Sequence, residues 1–122
     1  MALSVFPDVP NTVHGAFGTE FSYEASADVL AGQAVAVTSG KIAPATSGAF
    51  IGIALYDIPA GTIGAVRVAG VARAVAGATV AAGAGVVAST LGSVATAGES
   101  ATPSAVALEA GTEGTLIAIA FR

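Results

Sequence analysis

The chain has 122 residues, of which 54% are hydrophobic and only 10% charged, with a net charge of -4 and neither cysteine nor tryptophan. That length fits one domain with its own core, while the missing cysteines exclude thiolate nucleophiles, disulfide staples and cysteine-bound zinc. The cations Lys41, Arg67, Arg73 and Arg122 are too scattered to track phosphates, so nucleic acid is not an expected partner.

Residues 1–28 read as an extended N-terminal arm. They hold Asp8, Glu20, Glu24, Asp28, the single histidine His14 and the aromatics Phe6, Phe17, Phe21 and Tyr23, with Pro7, Pro10, Gly15 and Gly18 breaking any helical period. Thr19 to Tyr23 can form one short strand. Aromatics at this density suit packing on the body, on a neighbouring subunit or on a larger assembly; the alternative is that the arm folds back as an edge strand of its own domain.

Residues 29–122 form a β-rich domain. Short runs favouring strands cover Ala34 to Thr38, Lys41 to Pro44, Phe50 to Tyr56, Gly64 to Val75, Val86 to Ser89, Ser93 to Thr96, Ser104 to Leu108 and Thr115 to Phe121. Turn signals such as Thr38-Ser39-Gly40, Pro59-Ala60-Gly61 and Leu91-Gly92-Ser93 separate them, and the spacing predicts an all-β small barrel or sandwich. Alternation predicts that Val35 and Val37 share one face of their strand, and that Ile51, Ile53 and Leu55 share one face of theirs. In the run Gly64 to Val75, Val66 and Val68 differ in parity from Val71 and Val75, which suggests a bulge at Gly70 where the strand changes face. Arg73 then either points inward with a partner or lies at a subunit contact. The stretch Ala74 to Gly98 carries Gly77, Gly83, Gly85 and Gly92, which suit turns rather than a membrane-spanning helix, so no membrane is expected.

Similar segments occur in both halves and suggest two related β modules. Ala60 to Val66 matches Ala110 to Leu116, Ile53-Ala54-Leu55 parallels Val106-Ala107-Leu108, and Gly32 to Val35 parallels Gly83 to Val86, in the same order.

Groups able to do chemistry are sparse. His14 has no second histidine and no cysteine to complete a metal or nucleophile set. Glu20, Glu24 and Asp28 fall at a spacing whose like charges oppose the helix that would align them, and Glu109 and Glu113 flank a turn. The glycine pairs lack the lysine and hydroxyl of a phosphate loop. No catalytic residue, cofactor or metal is expected, and the chain reads as a non-enzyme.

The approach turn Leu30-Ala31-Gly32-Gln33-Ala34-Val35, the hairpin Val37-Thr38-Ser39-Gly40-Lys41-Ile42, the strand Phe50 to Leu55 and the run Ala60 to Val71 together resemble the capsid decoration, or cement, proteins of tailed bacteriophages. The resemblance covers Val29 to Phe121 and rests on order and composition. It implies a β-rich protein on the outer surface of the assembled capsid, a homotrimer whose partner is the major capsid protein and whose task is to stabilise contacts between capsid subunits. Phe6, Phe17, Phe21, Tyr23 and Arg73 are the candidate capsid or subunit contacts. The alternatives are another virion component, such as a head-fibre base or tail-associated protein, or a carbohydrate-binding β module.

Overall fold

The structure, a computed structural model, describes residues 18–99 and 101–121. The strands are β1 Gly18–Glu24, β2 Ala34–Thr38, β3 Lys41–Pro44, β4 Gly52–Ala54, β5 Ile63–Val75, β6 Gly85–Ala88, β7 Val94–Thr96, β8 Ala105–Ala107 and β9 Leu116–Phe121. A single 3-10 turn occupies Thr90–Gly92, and there is no α-helix among the described residues. The chain is all-β, as its β-branched runs and closely spaced turns require.

All nine strands join one antiparallel sheet in the order β3-β2-β4-β5-β9-β8-β6-β7, with β1 also paired to β5. That order reads the same from either end once the two halves are matched, because the fold is a duplication. The first module is β1 to β4 with residues 63–68 of β5; the second is the remainder of β5 with β6 to β9. Hydrogen bonds repeat between them. Val29 and Ile58 exchange two backbone bonds of 2.9 and 2.7 Å, as Val80 and Gly111 do at 2.9 and 3.0 Å. The hydroxyls of Thr62 and Thr115 each donate at 2.7 Å to the carbonyl three residues back, that of Pro59 and Thr112. Parallel bridges Ala25–Ile42 and Ala76–Val94 curl each module into a half-barrel.

The sequence match between halves therefore reflects structure, with one correction of register. Gly61-Thr62-Ile63 corresponds to Gly114-Thr115-Leu116, not to Gly111-Thr112-Glu113, since Gly61 and Gly114 have φ of +85° and +87° and Ile63 and Leu116 open their strands. The alanine-rich text allowed the shifted match; the left-handed glycine fixes the true one.

Two cores result. Ala25, Val29, Val35, Ile42, Ala54, Ile58 and Val66 fill the first half-barrel, with Tyr23 and Val68 against them. The second collects Ala72, Ala74, Ala76, Val80, Val86, Val94, Ile117 and Ile119, together with Ala34, Phe50 and Ile53 from the back of the first module. Thus β2 and β4 lie between cores: Ala34 and Ile53 face one, Val35 and Ala54 the other, and all four are at most 2% exposed. Simple alternation fails here, because a strand covered on both faces has no polar side. Val37, which alternation puts on the same face as Val35, is 47% exposed where Val35 is 0%.

The predicted bulge at Gly70 lies slightly upstream. Thr19 pairs with Ala69 and Glu20 with Arg67, so Val68 is the extra residue. Gly64, Val66, Ala72, Ala74 and Ala76 are all buried, so one parity of β5 serves both cores. The strand has to turn about its axis to do so, and the bulge followed by Gly70 at φ +92° supplies the turn. Val71 and Arg73 consequently face outward.

Candidate assembly surface

Of the residues expected to make contacts, Phe6 and Phe17 lie outside the described residues, as does His14. The described part of the N-terminal segment begins with β1, which pairs with β5 along its whole length from Gly18–Gly70 to Glu24–Ile63. Successive residues of β1 point to opposite faces. Phe21 and Tyr23 take the concave face of the first half-barrel, with ring centroids 6.3 Å apart in an edge arrangement. Tyr23 packs on the first core, while Phe21 stays 51% exposed.

Glu20, on the opposite face of β1, is ion-paired with Arg67 across the strand. The Arg67 guanidinium also donates to the Val71 carbonyl at 2.9 Å, so it ties β1 to the turning region of β5. In the sequence Arg67 reads only as one of the scattered cations; its place beside the valine parity shift is the signal for this tie. Arg73 is exposed, with its guanidinium 3.5 Å from Glu109, so the inward orientation is not the one adopted.

Four other carboxylates are likewise committed to structure. Glu24 lies 3.2 Å from Lys41. Asp28 and Asp57 accept backbone N–H bonds from Ala60 and Ala31 at 2.9 and 2.8 Å, and Glu109 accepts one from Ala118 at 2.9 Å. Asp28 and Asp57 each pin one loop of the first module to another, and Glu109 ties its loop to β9. Among the described residues, no three His, Cys, Asp or Glu side chains gather as metal ligands would, and no helix is long and apolar enough to cross a membrane.

What the surface does offer is apolar area. Phe21, Val37, Ile63, Leu91, Leu108 and Leu116 are each between 47% and 70% exposed. Side chains of this type on a chain with so few charges are suited to contact rather than to reaction.

Comparison with known proteins agrees. The family model described as phage cement protein matches residues 13–122. The chain belongs to the phage cement protein family. Membership makes this cement protein a structural component of a phage virion. No curated protein sequence matches the chain. Its fold is shared with the crystal structure of the head fiber gp8.5 N base of bacteriophage phi29, at a TM-score of 0.74 and 20% identity, covering 86% of this chain and 94% of that one. A cement protein with two half-barrels and a continuous sheet thus has a counterpart in a solved fold.

Proposed function

We propose that this cement protein binds the outer surface of the assembled phage head as a homotrimer, contacts the major capsid protein, and stabilises the joints between capsid subunits without catalysing a reaction. The observation that carries the reading is the family match across residues 13–122. The structure supports it in two ways. Five of its carboxylates, Glu20, Glu24, Asp28, Asp57 and Glu109, are engaged in loop caps and ion pairs instead of being grouped for acid-base work. Its exposed apolar residues offer many small contacts, and symmetry multiplies weak single contacts into strong collective ones.

The test is electron microscopy of heads with and without the protein, paired with thermal release of packaged DNA. Density on the outer shell and a higher release temperature are expected in decorated heads. Undecorated density at saturating protein, or an unchanged release temperature, refutes the reading. A second reading, a base that carries a longer projection, is favoured by the fold shared with the head fiber base. It predicts a fibre rising from the same density.

A further inference from the structure

The duplication uses one contact inside the chain and leaves both halves of the same contact open on its outer faces. Within the chain, the back of the first module closes the concave face of the second. Ala34, Ala45, Phe50 and Ile53 lie at that joint with 0%, 3%, 6% and 0% exposure. Phe50 meets Phe121 edge-on at 6.3 Å, and the Gly48 carbonyl accepts the Ala88 N–H at 2.7 Å. The matching positions on the back of the second module are Gly85, Ala97, Pro103 and Val106, and all are only half-buried.

The concave side shows the converse. Ala72 and Ala88 of the second module are covered, at 5% and 4% exposure, whereas their first-module counterparts Phe21 and Val37 stand at 51% and 47%. Side-chain size has also changed sides. Where the concave face has small Ala72 and Ala88, the back seated on it has large Phe50 and Ile53. Where the concave face has large Phe21 and Val37, the matching back has the smaller Pro103, Val106 and Gly85. Packing at interior density requires such compensation. Phe121 and Val68 run the other way, so the exchange is not complete.

We propose that the back of the second module docks on the concave face of the first module of another copy of this chain, head to tail. The contact uses a different surface on each copy, so it is heterologous and closes into a ring or runs on, according to its rotation. It rests on the self-association included in the function proposed above and names the residues that make it.

Because the chain has no cysteine, Phe21→Cys and Val106→Cys each introduce a single thiol, at positions exposed enough to leave the fold intact. A disulfide needs Cα atoms within about 7 Å, so mild oxidation of a mixture of the two variants should give mixed dimers in roughly tenfold excess over like-with-like dimers. Like dimers in equal yield overturn the proposal, as does a mixture that never links. A second readout uses Phe21→Asp and Val106→Asp in sedimentation: each alone loses self-association, and mixing them restores a dimer because each keeps one sound face. Both variants associating as the wild type does would refute it. These experiments use free protein, so loss of head decoration with linking intact concerns the capsid reading alone.

Discussion

Two glycines with the same backbone conformation show how different the demands on a single residue are. Gly40 and Gly92 have φ of +79° and +78°, each following a residue that is also left-handed, Ser39 and Leu91. Paired positive φ values match the twist of hairpin strands. A Cβ on Gly40 would meet nothing within 4 Å, whereas one on Gly92 would lie 2.7 Å from Cβ of Gln33 and 3.2 Å from the Ala34 carbonyl. Gly40→Ala should therefore cost about 1 kcal/mol, the left-handed penalty alone. Gly92→Ala should cost about 3 kcal/mol, since it adds overpacking at the joint between modules. Chemical denaturation of the two variants checks the difference, and equal losses would mean that the joint yields freely. The sequence marked both positions as turns, through Thr38-Ser39-Gly40 and Leu91-Gly92-Ser93. It had no means of showing that Gly92 touches Gln33, whose amide also donates to the Leu91 carbonyl at 3.0 Å, because that approach joins residues remote in the chain.

Among the elements, β1 is the one whose role depends on what surrounds it. Its backbone pairs with β5, Glu20 meets Arg67, and the chain leaving it reaches Ala25, which is 0% exposed. Removing residues 1–27 takes away β1 and bares the edge of β5, an invitation to pair with other chains. That truncation should lower the melting temperature sharply and promote aggregation, as read by calorimetry and light scattering. The exposed pairs Lys41–Glu24 and Arg73–Glu109, by contrast, contribute at most about 1 kcal/mol each. The bounds of β2 and β3 were legible, since both occupy the residues that their Val, Ile and turn signals predicted, whereas the run Phe50 to Tyr56 is a strand only at Gly52–Ala54. The facing of β2 and β4 was not legible, because Ala34 and Val35 are both buried, and a two-sided strand carries no alternation to read.

At the scale of the molecule, the modules are alike in plan but unequal in independence. The first fills its half-barrel with its own residues and leaves Phe21 and Val37 open. The second borrows Ala34, Phe50 and Ile53 to complete its core. A fragment covering residues 69–122 should thus remain unfolded by circular dichroism, while the whole chain melts in one calorimetric transition; two separate transitions, or a folded fragment, would show the modules to be autonomous. The duplication was readable from the paired motifs in the two halves. The order β3-β2-β4-β5-β9-β8-β6-β7 was not, since it depends on both modules meeting along β5 and β9.

The 13-residue span of β5 crosses both modules without a break. At about 3.3 Å per residue it makes a covalent tie roughly 40 Å long. A pull applied between the two ends of the molecule along this axis loads the flanking hydrogen bonds in shear, all together, instead of unzipping them singly. The same rod would part far more readily under a sideways peel at the outer edges, β3 and β7, so the molecule resists stretching in one direction much better than in the other.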